Sequence, residues 1–160
     1  MPKIYFAADH AGLALKNSLL ERAHSLGYEV EDMGAFEFDE EDDYPDIIMP
    51  CAERVVIEPD AFAVVLGKSG QGEMMCANRI LGVRAALFYG KQNINTAQEE
   101  GGYSEDGFDI IRLVRKHNDA NVLSIAADFV TEEDAARAMT VFLETPFSGA
   151  ARHMRRISKF

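Results

Sequence analysis

Ala61-Phe62-Ala63-Val64-Val65-Leu66 runs directly into Gly67-Lys68-Ser69-Gly70-Gln71-Gly72-Glu73, and then into Met74-Met75-Cys76-Ala77-Asn78-Arg79. The first segment is a continuous apolar run of strand length, the pattern of a strand buried on both faces. The glycines that follow allow a tight turn and a close backbone approach to a ligand. The third segment, rich in Met and Ala with no Gly or Pro, is predicted to be helical. Strand, glycine turn and helix bring a hydroxyl (Ser69) and a carboxylate (Glu73) to a strand's carboxyl end, where open α/β sheets bind ligands. Two common glycine motifs are excluded. A P-loop requires glycine where Phe62 stands, and a dinucleotide fingerprint requires Gly or Ala where Met75 stands. A plain βα turn without chemistry remains an alternative at this point, and the acid in the turn favours a site.

Outward from this stretch, strands and helices alternate. Ile4–Ala8 reads as a first strand, followed by Asp9-His10-Ala11-Gly12 and a helical pattern that ends at Gly27 as at a C-cap. Tyr28–Asp32 is a weaker strand, and the acidic stretch 34–45 reads as loop. A helix over about 45–56 leads into the strand quoted above, and Val83–Tyr89 forms a fourth. Gly90 to Gly107 is long and polar for a βα connection, and is read as an inserted loop. A helix near 108–116, a strand over Asn121–Ala126 and a helix opened by Thr131-Glu132-Glu133-Asp134 complete the pattern. That opening is a capping box with Asp in place of Glu. The alternation predicts a single α/β domain: a Rossmann-like αβα sandwich around a five-stranded parallel sheet, with a C-terminal helical tail.

Composition narrows the function. A chain of 160 residues is one domain, and 48% hydrophobic residues can fill a core. The net charge of −11 argues against nucleic acid and anionic membranes as partners. No apolar run approaches a membrane span, no signal peptide is evident, and two cysteines make no disulfide framework, so a cytoplasmic location is expected. Asp9 and His10 follow the first strand at the ligand edge, and His suits proton transfer near neutral pH. His24 reads as surface decoration. His117 is either a helix C-cap beside the macrodipole or a catalytic group. Arg152-His153-Met154-Arg155-Arg156-Ile157-Ser158-Lys159-Phe160 is basic inside an acidic protein. It reads as an anion site, because Arg forks match phosphate, or as a solvated tail. Cys51 and Cys76 read as inert packing.

Together, Asp9-His10-Ala11-Gly12, Asp43-Tyr44-Pro45, the Gly67–Glu73 turn with Ala77-Asn78, Gly82-Val83-Arg84, His117–Val122 and Thr145-Pro146-Phe147 with Arg152-His153 and Arg155-Arg156 resemble the type B ribose-5-phosphate isomerases. The wider family includes the galactose-6-phosphate isomerase subunits. Many members carry a catalytic Cys directly after the third strand, where this chain has Gly67. The pattern resembles the branch that uses a Ser and a Glu instead, here Ser69 and Glu73. The resemblance implies aldose–ketose isomerisation of a sugar phosphate through a cis-enediolate. Glu73 would be the base, and Ser69 with the N–H groups of Gly67, Gly70 and Gly72 would stabilise the enediolate oxygen. His117 and Asp9 would open the sugar ring, while His10, Tyr44 and Asn118 would hold hydroxyls. Arg152, His153 and Arg156 would hold phosphate in a neighbouring subunit's site, within a homodimer or homotetramer. No metal or organic cofactor is implied. Two departures stand out: the loop over 90–107, and Asp128, which occupies a position where family members commonly place a phosphate-binding Arg. Lys68, unusual in the turn, is the candidate compensation. The alternatives are the same chemistry on another C4–C6 sugar, or a non-catalytic sugar-binding subunit.

Overall fold

In the computed structural model, which describes residues 1–93 and 104–160, the apolar run becomes β3 (Phe62–Gly67), the middle strand of a five-stranded sheet. Its neighbours are β1 (Lys3–Ala8) and β5 (Val122–Ala126), with β2 (Glu29–Asp32) and β4 (Ala85–Phe88) at the edges. Every pairing is parallel. The apolar run is continuous because β3 is covered on both faces. Val64 and Leu66 join Ile4, Phe6, Leu123 and Ile125 in one core. Ala63 and Val65 face the other, with Tyr5, Ala7 and Val122. The strand's alternation of side chains thus feeds two cores at once.

The helices α1 (Leu13–Ser25), α4 (Asp109–Asn118) and α5 (Glu132–Glu144) cover the first core through Leu19, Ala23, Ile111, Ala135, Met139 and Phe142. On the other face, α2 (Tyr44–Ile57) and α3 (Gln71–Ala77) supply Ile48, Cys51, Ala52, Val55 and Ala77. The chain leaves β1 for β2 on one side and then crosses back over β1 to reach β3. The carboxyl ends of β1 and β3 therefore flank a topological switch point, where such sheets open a crevice.

Local signals account for most boundaries. Gly27, with φ of +88°, follows the end of α1. Thr131 caps α5, its hydroxyl accepting the Asp134 N–H at 3.1 Å. The Asp134 carboxylate instead meets Lys91 at 3.1 Å, since the shorter acid turns outward. The predicted helix ending at about Lys116 extends to Asn118, because Asp119 takes a left-handed conformation that closes it. The tail is helical, as α6 (Ala151–Ile157). The loop expected over 90–107 falls largely on residues outside those described. Its two described ends meet where Gln92 N–H donates to the Gly107 carbonyl at 3.0 Å. Among the described residues, no helix is long and apolar enough to cross a membrane.

Candidate active site

The turn after β3 is tight, and each of its three glycines stands where a side chain would meet a neighbour. An ideal Cβ on Gly67 would lie 2.0 Å from Oε1 of Glu73 and 2.1 Å from its Cδ. The Glu73 carboxyl group therefore fills the space that any side chain at Gly67 would need. Gly70 stands at φ +68°, where L-residues are strained, and a Cβ there would meet Leu87 at 2.6 Å. A Cβ on Gly72 would meet the Tyr44 ring at 2.6 Å, so the ring lies directly against the turn. The buried hydroxyl of Ser124 in β5 donates to the Gly70 carbonyl at 2.8 Å and anchors the turn from below. Ser69 is exposed, and its Oγ accepts the Gln71 N–H at 3.4 Å. Among the described residues, the N–H groups of Ser69 and Gly70 donate to no protein acceptor.

Glu73 is 4% exposed. Burial raises its pKa, its own backbone N–H lowers it, and the charge of Asp9 raises it again. Asp9 is itself buried, and burial lifts its pKa against the hydrogen bond that its Oδ1 accepts from Gly12 N–H at 3.1 Å. Burial thus makes both carboxyl groups beside the crevice easier to protonate than a free side chain. His10 is held by Asp42, which accepts from its backbone N–H at 2.8 Å and lies 2.6 Å from Nδ1. The hydrogen bond to Asp42 raises the His10 pKa more than partial burial lowers it. Asp9, His10 and Asp42 offer the only grouping with metal-ligand spacing among the described residues, and the short His10–Asp42 bonds already account for it.

The pairing of Asp9 with Glu73 has a measurable consequence. Asp9→Asn removes a negative charge that makes Glu73 harder to ionise, so the Glu73 pKa should fall. The acid limb of the pH profile of kcat/KM should then move to lower pH, whatever the loss in absolute rate. An acid limb unmoved in Asp9→Asn would mean that the two carboxyl groups do not interact.

The remaining predicted residues collect elsewhere. His117 and Asn118 end α4, which enters β5 at the amino edge of the sheet. The tail lies beside them: Ser148 N–H donates to the Lys116 carbonyl at 3.1 Å. The His153 ring stacks on His117 with centroids 4.3 Å apart and planes 11° from parallel. His153 is buried, and burial lowers its pKa, helped by the charges of His117, Arg152 and Arg156. Arg152 and Arg156 are exposed on the same short helix. A strand of five residues, at about 3.3 Å each, puts roughly 16 Å between this cluster and the Glu73 crevice. Within one chain, Asp9 and His117 stand at opposite edges and cannot act on one sugar together.

Lys68 and Asp128 meet at the mouth of the crevice, with Nζ 3.9 Å from Oδ2. Their backbones are also joined, Asp128 N–H donating to the Lys68 carbonyl at 3.1 Å. Cys76 donates its S–H to the Glu73 carbonyl at 3.3 Å, and burial raises its pKa. Cys51 is fully buried, and its pKa is driven up in the same way. Neither thiol suits a nucleophile. Sequence reasoning missed Asp42, hidden in an acidic run, and Ser124, hidden in an apolar strand. A polar residue inside a strand buried on both faces is the signal that marks Ser124 as needing a partner.

A family profile described as Ribose/Galactose Isomerase matches residues 4–101 and 108–160. The ribose-5-phosphate isomerase B of Mycolicibacterium paratuberculosis is 36% identical over 155 residues, covering 97% of this chain and 87% of the relative. The crystal structure of ribose-5-phosphate isomerase B from Mycoplasma genitalium with bound ribulose 5-phosphate aligns with a TM-score of 0.84 at 33% identity, covering 98% of this chain and 92% of that one. The ribose 5-phosphate isomerase of Thermotoga maritima aligns at 0.83 and 34% identity, covering 99% and 96%. Similarity of this extent in sequence and in fold leaves no room for a chance likeness, and the chain belongs to the ribose/galactose isomerase family of enzymes, in the branch that carries Ser69 and Glu73 where other members carry a catalytic Cys.

Proposed function

We propose that the protein interconverts ribose 5-phosphate and ribulose 5-phosphate, or a close phosphorylated analogue, through a cis-enediolate with Glu73 as the base. The observation that carries this reading is the Glu73 carboxyl group, buried, raised in pKa and lying over the unsubstituted Cα of Gly67. Glu73 takes the proton from C2 of the aldose and returns it to C1. The free N–H groups of Ser69 and Gly70, with the Ser69 hydroxyl, receive the developing oxyanion. Tyr44 and His10 line the crevice and hold sugar hydroxyls.

The crevice of a single chain is acidic, with Asp9, Asp42 and Glu73 around it and Lys68 already facing Asp128. A phosphate dianion needs cations there. Arg152 and Arg156, with His153, His117 and Asn118, are the complementary set, and a neighbouring subunit brings them to the crevice. A symmetric homodimer, alone or within a tetramer, supplies each site twice. Exposed Ile57, Met75 and Leu81 on the α2–α3 layer support burial against another copy. Sugar phosphates do not cross membranes unaided, and a cytoplasmic location follows from the reading.

The test mixes subunits. Glu73→Gln protein and Arg152→Ala/Arg156→Ala protein are each expected to be nearly inactive. A statistical mixture of dimers should regain about a quarter of wild-type activity, because half the dimers hold one intact site. No recovery in verified mixed oligomers would reject the shared site. The Lys68–Asp128 pair favours a second reading, in which the preferred substrate is another C4–C6 sugar phosphate. Comparing kcat/KM across that series separates the two.

A further inference from the structure

Asp119 is the only non-glycine residue with positive φ among the described residues, at +48°. It stands directly after His117 and Asn118, at a position that helices usually fill with Gly or Asn. Either of those would close α4 without needing a charge. The aspartate instead is gripped from both sides. Arg84 Nη2 donates to Oδ2 at 2.9 Å, and Arg115 Nη1 donates to Oδ1 at 3.1 Å. The same guanidinium of Arg84 donates through Nε to the carbonyls of Asn118 and Asp119, at 3.1 and 2.8 Å. These are carbonyls that the end of a helix leaves unpaired.

Each arginine is itself fixed. The Asn121 side chain accepts from Arg84 N–H at 2.8 Å and donates to the Gly82 carbonyl at 3.0 Å. Arg84 Nη1 reaches that carbonyl too, at 3.2 Å. Arg115 is buried, with its guanidinium 4.7 Å from the Phe62 ring centroid and 5.5 Å from that of Phe142. Its Nη1 donates to the Ala120 carbonyl and its Nε to the Thr145 carbonyl, at 2.5 and 3.1 Å. Thr145 begins the segment that leads to α6, so Arg115 ties the root of the tail to the end of α4. His153, on that tail, is the ring stacked on His117.

We propose that Arg84 and Asp119 are positioning residues for ring opening: their ion pair, backed by Arg115, holds the left-handed end of α4 and so fixes the direction in which His117 and Asn118 are presented. The proposal rests on the reading that His117 opens the sugar ring. Neither Arg84 nor Asp119 touches substrate in this account. Both act through the backbone that carries the two side chains. A misplacement of about 1 Å in such a group is enough to lower a rate by orders of magnitude.

Ribulose 5-phosphate carries its phosphate on O5, cannot close a furanose ring, and is acyclic. Exchange of its C1 proton with solvent needs the base but no ring step. Formation of ribose 5-phosphate, which closes through O4, draws on the ring step as well. The experiment follows both by NMR in deuterated water, starting from ribulose 5-phosphate, for wild type, His117→Ala, Asp119→Gly and Arg84→Gln. Glycine keeps the left-handed turn and removes only the carboxylate. Both positioning variants and His117→Ala should keep C1 exchange near the wild-type rate while conversion falls by about 10-fold or more. If His117→Ala shows this split and the two variants keep the wild-type ratio of exchange to conversion, the positioning role is wrong and the role of His117 stands. Equal loss of exchange and conversion in the variants also overturns it, as a general defect of the fold. If His117→Ala shows no split, the ring-opening reading fails and takes the proposal with it. Should Asp119→Gly or Arg84→Gln not fold, Asp119→Asn, which tolerates the same backbone conformation, carries the same comparison.

Discussion

Glu73→Gln should fold, bind sugar phosphate and lose turnover by ~10²-fold or more, the usual contribution of a general base. The amide keeps the shape of the side chain over Gly67 and cannot take a proton. Exchange of the substrate's C2 proton with solvent deuterium should stop with it. Exchange at the wild-type rate in Glu73→Gln would remove Glu73 from the mechanism. The same variant should be more stable than wild type at neutral pH. Burial and the charge of Asp9 raise the Glu73 pKa in the folded chain above its value in the unfolded one. Holding the carboxylate ionised at neutral pH therefore costs stability, and glutamine removes that cost. At pH values below the unfolded pKa the group is protonated in both states, and the difference should vanish. The gain should show as a higher Tm at neutral pH than that of wild type. A Tm advantage that persisted unchanged into acid would locate its origin in packing rather than in ionisation.

Gly67→Ala should be nearly as damaging, by a different route. The backbone at Gly67 needs no left-handed conformation, so alanine meets no strain there. The obstacle is the Glu73 carboxyl group, 2.0 Å from the new methyl. One of them must move. Displacing the base by an ångström or more from its reacting carbon is expected to lower kcat/KM by ~10²-fold. The atoms in the way are the far end of the Glu73 side chain, so the clash is relieved by moving the carboxyl group, and the cost falls on activity rather than on stability. The two predictions therefore move activity together. If Gly67 acts only by making room for the base, the double variant Gly67→Ala/Glu73→Gln should be little slower than Glu73→Gln alone, because the residues share one function. Wild-type turnover in Gly67→Ala would show that the carboxyl group works from somewhere other than the space above Gly67.

The alternation of apolar strands with helices was readable directly, since burial on both faces of β3 leaves a run with no polar position in it. So was the turn, where Gly67, Gly70 and Gly72 mark close approach. The Gly27 and Thr131 signals placed helix ends because caps are local chemistry. The branch of the family was readable as well, from a glycine and an acid standing six positions apart in the turn. Less visible was the length of α4. Its end falls at Asp119, whose left-handed backbone is met by Arg115 and by Arg84, the latter from 35 residues away. Asp42 looked like one more acid in a charged loop until His10, 32 residues distant, came to it.

Order along the chain determined the fold, the turn and the chemical identity of the candidate base. Spacing says nothing about which edge of the sheet a residue reaches across a crossover, and that was left to tertiary structure. Asp9 and His117 look equally suited to one site in the sequence. The parallel sheet separates them by the length of β5, because whatever follows a strand stands at its carboxyl edge and whatever precedes it stands at the other. The stacking of His153 on His117 and the reach of Arg84 to Asp119 join residues that tertiary structure, not spacing along the chain, brings within reach.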